Sequence, residues 1–260
     1  MNTYVADYSA LFNRANAAVT AALGPVPDGV ERPTALRSAE TLAGRIDHTL
    51  LKPDATLQAI ETLCEEAVAH RFASVCVNTR WVPTAAERLS GTPVMVCTVV
   101  GFPLGAMTRL AKAEEARITV AEGAQEVDMV LDIGGLLSGD LAAVYDDILG
   151  VVAAARPAPV KVILETALLD DEQKAVACLI AARTGAAYVK TCTGFGGGGA
   201  TAHDIGLMRA MVGEALGVKA SGAVRSRQDA RAMLKAGADR IGASSSVAIV
   251  TGTEGDEGGY

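Results

Sequence analysis

The sequence predicts an α/β protein built as one (β/α)8 TIM barrel, with an N-terminal helical extension and a flexible C-terminal tail. Three observations predict it. Eight short segments of strand character recur, roughly at 46–51, 72–78, 94–101, 126–134, 160–166, 188–194, 217–223 and 240–245. Each gap holds an Ala- and charge-rich stretch of helical character, such as Leu57–His70 or Ser226–Ala236, and strand–helix alternation of this kind builds parallel sheets. The units are near equal in length, which favours a closed barrel over a doubly wound sheet. No GxGxxG follows the first strand, as a dinucleotide-binding sheet would require.

Residues 1–40 read as a helix and a linker. Tyr8, Leu11, Phe12, Ala15, Val19 and Leu23 share one face of a helix over 4–24, and Gly24, Pro25, Pro27, Gly29 and Pro33 then break the chain. The barrel is expected over 41–250. Residues 251–260 contain four glycines and three acids, a composition that predicts a mobile tail.

A chain of 260 residues, half of them apolar, can bury one large core. A net charge of −7 without a basic run argues against a nucleic-acid partner. Cys64, Cys76, Cys97, Cys178 and Cys192 form no CxxC or zinc-type spacing, so a reduced, cytoplasmic thiol set is expected. Asp7 and Arg14 fall where a signal peptide needs apolar residues. No stretch approaches 18 uncharged apolar residues, so no membrane span is expected.

Strand residues alternate between faces. In 126–132, Val127, Met129 and Leu131 should face the helices and Asp128 and Asp132 the interior. The same rule turns Asp47 and Thr49, Ser74, Cys76 and Asn78, Lys161 and Glu165, Lys190, and Lys219 and Ser221 inward. Ordinary barrels fill this space with branched apolar side chains. Buried charges are costly unless paired. A purely structural ion-pair network is one reading, but three lysines from three adjacent strands are an expensive way to fill a core. The chemical reading is amine nucleophilicity: burial and a second ammonium disfavour the charged form of a lysine and free it to attack a carbonyl. Lys190 and Lys219, on adjacent strands, suit that arrangement, with Asp128 able to relay protons. The pattern alone leaves open which lysine is the nucleophile.

Three glycine-rich turns follow late strands: Thr193–Gly199, Ser221–Arg225 and Gly242–Ser246. Backbone N–H groups in such turns bind anions, and barrels often hold a phosphate after strands seven and eight. The candidate phosphate residues are Thr193, Gly194, Gly222, Ala223, Gly242, Ser244 and Ser245.

The residues now on the page resemble one family. Ile46–Leu51, Val75–Asn78, Val100–Gly105, Glu126–Val130, Lys161–Thr166, Val189–Phe195, Lys219–Arg225 and Ile241–Ser245 are similar, in order, to the motifs of the deoxyribose-phosphate aldolases, over roughly 40–250. The resemblance implies a metal-independent, cofactor-free class I aldolase. Such an enzyme cleaves 2-deoxy-D-ribose 5-phosphate to acetaldehyde and D-glyceraldehyde 3-phosphate in deoxyribose phosphate catabolism. It implies Lys190 as the imine-forming lysine, Lys219 as the second lysine, Asp128 as the proton relay and Asp47 as the first-strand aspartate. It also implies a role for Tyr260, since some members use a C-terminal tyrosine in proton transfer. Cys192 stands where the family usually has Ser, Ala223 replaces the second Gly of the phosphate turn, and Thr79 stands where Pro often follows the Asn.

Blander readings fit other residues. His48, His70 and His203 lack metal-ligand spacing, and no metal is expected. Cys76 faces the interior near the site, yet most buried cysteines act as small hydrophobes. Lys161 reads as a charge partner of the interior carboxylates, and Trp81 as a packing residue at a loop start. The alternatives are another imine-forming sugar-phosphate aldolase and a non-catalytic sugar-phosphate-binding barrel, the latter predicting a lost lysine or aspartate. Self-association is compatible with either; the sequence fixes no oligomeric state.

Overall fold

The computed structural model describes residues 7–26, 30 and 41–252. Eight parallel strands close into a barrel in sequence order. They are β1 (Ile46–Leu50), β2 (Ser74–Val77), β3 (Met95–Val100), β4 (Glu126–Val130), β5 (Val160–Ile163), β6 (Tyr188–Lys190), β7 (Gly217–Ser221) and β8 (Arg240–Ala243). The seam joins Ile46 to Ile241 and His48 to Ala243. All eight fall inside the segments expected from sequence.

The helices are α1 (Ser9–Leu23), α2 (Leu57–His70), α3 (Val82–Arg88), α4 (Arg109–Ala121), α5 (Ile133–Leu137), α6 (Leu141–Ala155), α7 (Asp171–Thr184), α8 (Ala202–Val212), α9 (Arg227–Ala236) and α10 (Ser246–Thr251). Their starts are written in the sequence. Thr56, Thr108, Asp140 and Thr201 accept hydrogen bonds from first-turn N–H groups, and Asp170 and Ser226 form capping boxes with Gln173 and Asp229. The main core lies between strands and helices, where Val75, Val127, Met129, Val162, Val189, Val218 and Ile241 face outward from the barrel. None of the described helices is long and apolar enough to cross a membrane.

Helix α1 packs on α7 and α6. Ala15 and Val19 are buried there. The Arg183 guanidinium of α7 ties down the helix end, donating to the Gly24 carbonyl at 2.7 Å and to Thr20 Oγ1 at 2.9 Å. Phe12 departs from expectation: it is 37% exposed, because the contact stripe is narrow and centres on Ala15 and Val19. Most of the expected linker and the tail, Tyr260 included, lie outside the described residues.

Two interior features follow from the strand pattern. Tyr188 crosses the barrel floor opposite Gly217, where an added Cβ would fall 2.1 Å from the ring. Asp132 does not enter the interior. The strand ends at Val130, so period-two alternation no longer applies, and the Asp132 side chain caps α5 by accepting from Gly135 N at 3.0 Å.

Candidate active site

Asp128 of β4 is the centre of the interior network and is fully buried. Its Oδ2 accepts from Lys190 Nζ and Lys219 Nζ, each at 2.7 Å, and its Oδ1 from Lys161 Nζ at 2.8 Å. Strand register explains the convergence: Asp128 pairs with Lys161, and Lys190 with Lys219. Asp47 of β1 closes the ring, 2.5 Å from Lys219 Nζ, with Ser74 Oγ donating to its other oxygen at 2.7 Å.

Below this level lie two charges that the sequence reading did not single out. Glu126 meets Lys161 at 2.7 Å and Arg240 at 2.6 Å, and Arg240 also approaches Asp47 at 3.4 Å. The signal was present: Glu126 precedes Asp128 by two, and Arg240 pairs with Lys219 in register. Cys97 was missed in the same way. Its thiol lies 3.2 Å from Asp128 Oδ1 and 3.3 Å from Lys161 Nζ, and it packs beside Cys76. Cys76, Cys97 and Asp128 together could ligate a soft cation, but only in competition with the lysine ammonium groups already on Asp128.

The electrostatics divide the roles. Burial alone would push the Asp128 carboxyl up, but Lys161, Lys190 and Lys219 outweigh it and hold it well below the usual carboxylate range. Asp47 behaves likewise, with burial opposed by Arg240, Lys219 and Lys161. Burial works against the Lys219 ammonium, but Asp128 and Asp47 overcome it and raise Lys219 above its ordinary value. Lys161 is raised too, chiefly by Asp128 against burial. Asp128 therefore rests as a base, and Lys219 and Lys161 as cations. Burial, then contact with Cys76 and the Asp128 charge, push the Cys97 thiol well up, so it rests as a neutral thiol.

Contacts separate the three lysines. Among the carboxylates of the described residues, Lys161 meets Asp47, Glu126 and Asp128, Lys219 meets Asp47 and Asp128, and Lys190 meets Asp128 alone. Lys190 is also the one whose side chain retains 4% exposure, against 0% for Lys161 and 1% for Lys219. His48 faces away, 2.7 Å from Glu66 of α2.

Beyond the ends of β6 to β8 lies a cavity of about 380 Å³ lined by Gly194, Gly197–Gly199, Ala223–Arg225 and Ser244. Of the residues expected at a phosphate, Gly194, Ala223 and Ser244 line it. Thr193 is bonded to Glu165 instead, and Ser245 is the N-cap residue that precedes α10. Gly222, at φ +83°, lets Gly199 approach within 3.0 Å of where a Cβ would stand. Gly242 belongs to the barrel interior, where a Cβ would crowd Lys219 Cε at 3.0 Å. Ala223 adopts φ +60°, a left-handed conformation that glycine takes more easily. Cys192 is buried, its thiol 3.4 Å from Thr166 Oγ1 and pushed up by burial.

Comparison with known proteins agrees with this geometry. The profile of the DeoC/LacD family aldolases matches residues 41–253. The chain belongs to that family. It is 58% identical to the deoxyribose-phosphate aldolase of Brevibacillus brevis, over 83% of this chain and 97% of that relative. It is 57% identical to the enzyme of the same name from Rhodospirillum rubrum, over 85% and 95%. Among solved structures, a putative deoxyribose-phosphate aldolase from Coccidioides immitis superposes with a TM-score of 0.82 at 36% identity, over 93% of this chain and 97% of that one. The tetrameric deoxyribose phosphate aldolase of Aeropyrum pernix gives 0.76 at 33% identity, over 92% and 96%. As a family member the chain is an aldolase, a lyase, and its substrate is a small sugar phosphate.

Proposed function

We propose that this chain reversibly cleaves 2-deoxy-D-ribose 5-phosphate to acetaldehyde and D-glyceraldehyde 3-phosphate through an imine on Lys190. The observation that carries the reading is the charge balance of the barrel interior. Among the described residues, the cations Lys161, Lys190, Lys219 and Arg240 face the carboxylates Asp47, Glu126 and Asp128. Within this connected network one positive charge is in excess; Glu165, also buried, bonds Thr193 instead. Lys190 has one carboxylate contact among the described residues, Asp128, and keeps the most exposure of the three lysines, which leaves it the most open to an incoming carbonyl.

The steps follow from that arrangement. The neutral Lys190 amine adds to C1 of the open-chain sugar, and loss of water gives an iminium. A base removes the C3 hydroxyl proton, the C2–C3 bond breaks into the iminium, and glyceraldehyde 3-phosphate leaves an enamine behind. Protonation of the enamine carbon and hydrolysis release acetaldehyde and restore Lys190. Asp128 is the base in contact with Lys190, and Lys219 is the ammonium that shares its oxygen and supplies protons. Asp47 holds Lys219 in place. The phosphate occupies the cavity lined by Gly194, Ala223 and Ser244, with Arg225 the cation at its edge. Thr193, Gly222, Gly242 and Ser245 support that end of the barrel from behind. Cys76 packs against the Cys97 thiol at the edge of the reacting centre.

Self-association belongs to the same reading, supported by the tetrameric relative, and light scattering on the eluting protein tests it. Five free, buried cysteines support a reducing, cytoplasmic setting. Borohydride reduction in the presence of substrate, followed by peptide mass mapping, tests the chemistry. An adduct on Lys190 is expected, with activity that survives EDTA because the iminium is the electron sink. Labelling on Lys161 or Lys219 overturns the assignment of roles, and no adduct overturns the imine.

A further inference from the structure

Glu165 follows β5 and is buried, yet it takes a left-handed backbone at φ +55°. A glutamate gains nothing there from its own backbone, which a glycine would occupy at lower cost. Its carboxylate is fully engaged on one side. Oε2 accepts from the Thr193 backbone N–H at 3.2 Å and also from the Thr193 hydroxyl. The Thr193 hydroxyl oxygen in turn accepts from Phe195 N–H at 3.0 Å. Gly196 lies directly against the same carboxyl group: a Cβ there would fall 2.8 to 3.1 Å from its three atoms, the nearest atoms it would meet. Oε1 has no hydrogen-bond partner among the described residues.

We propose that Glu165 is a positioning residue that sets the glycine turn at the anion cavity, acting through Thr193. The relay runs from a buried carboxylate just after β5 to both polar groups of Thr193, then to the N–H of Phe195, and so to the turn whose Gly194 and Gly197–Gly199 line the cavity. Charge-assisted bonds of this kind are among the stronger ones. They fix the first residues of a turn whose glycines would otherwise sample many conformations. The left-handed strain at Glu165 is the cost of aiming the carboxylate at Thr193. The inference rests on the cavity holding the phosphate of the substrate.

The test uses the full chain, three single variants and one double variant, with 2-deoxyribose 5-phosphate and unphosphorylated 2-deoxyribose compared side by side. Glu165→Gly removes the carboxylate while relieving the backbone strain, so the fold is retained. It is expected to raise KM for the phosphorylated sugar about tenfold or more, and to leave kcat/KM for deoxyribose within about threefold. Glu165→Gln, whose amide oxygen can accept both Thr193 bonds, is expected to restore most of the affinity. Gly196→Ala presses first on the Glu165 carboxylate, whose three atoms are the nearest that its Cβ would meet. It is expected to raise KM in the parent and to add little in the Glu165→Gly background, a coupling that general destabilisation does not produce. Equal losses on both sugars, or additive effects of the two glycine-site changes, overturn the proposal. A parent enzyme that cleaves neither sugar overturns the aldolase reading instead.

Discussion

Lys219→Leu separates chemistry from packing at the centre of the barrel. The substitution removes an ammonium that sits 2.5 Å from Asp47 and 2.7 Å from Asp128. Breaking a buried ion pair by deleting one partner costs about 3 to 5 kcal/mol. Here both carboxylates keep other partners: Asp128 retains Lys161 and Lys190, and Asp47 retains Ser74 and Arg240. The cost therefore falls at the low end, about 3 kcal/mol, or a drop in Tm of roughly 6–12 °C for a chain of this size. A protein with that deficit remains folded at 25 °C. Turnover should fall much further, by about 10²- to 10⁴-fold, because the site loses the proton donor that shares the Asp128 oxygen with Lys190. The assay pairs thermal unfolding by circular dichroism with initial rates of deoxyribose 5-phosphate cleavage at 25 °C. Turnover within about fivefold of the parent in a folded sample would refute the role given to Lys219. Unfolding at 25 °C would instead favour the purely structural reading of the ion-pair network.

Three further outcomes follow. Ala223→Gly should raise Tm by about 2 °C, since relief of a left-handed alanine exceeds the added chain entropy by about 0.5–1 kcal/mol, and should lower KM for the phosphorylated sugar more than for deoxyribose; a lower Tm shows that the turn does not strain Ala223. Asp128→Asn should reduce turnover by about 10²-fold or more, and adduct formation on Lys190 under borohydride should fall with it; undiminished turnover removes Asp128 from the proton path. Asp47 and Asp128 are both held below the usual carboxylate range in the fold; their stabilisation is complete above about pH 4, the ordinary carboxyl value, and is lost as the pH falls below it, so the urea midpoint should drop between pH 4 and 3 and drop less in Asp47→Asn, with identical acid curves counting against a stabilising Asp47.

The fold was legible because each strand carries its own period and each helix its own cap. Period two placed Asp47, Ser74, Cys76, Asp128, Lys161, Lys190 and Lys219 in the interior, and all are buried there. It failed at Asp132, where the strand has already ended and a cap takes over the side chain. It was applied too sparingly at Glu126, Cys97 and Arg240, which obey the same parity. The phosphate end was legible only as a region. Glycine counts mark where the backbone turns tightly, but whether a glycine lines a cavity or clears room for a neighbour depends on what lies opposite. Gly242 faces Lys219 across adjacent strands and Gly194 lines the cavity, and no local pattern separates the two.

The choice among the lysines shows what kind of information the sequence lacked. Parity makes Lys161, Lys190 and Lys219 equivalent, since each is an inward residue of a neighbouring strand. Lys161 differs from the other two in height along the barrel. Lys161 pairs with Tyr188 at the floor, whereas Lys190 pairs with Ile163, two residues further along β5 than Lys161. That stagger sinks Lys161 among Glu126, Asp128 and Asp47 and leaves Lys190 with Asp128 as its one carboxylate among the described residues. The shear of a closed barrel, a property of all eight strands together, thus separates Lys161 from Lys190, whereas Lys219, level with Lys190 in register, is set apart by its added contact with Asp47.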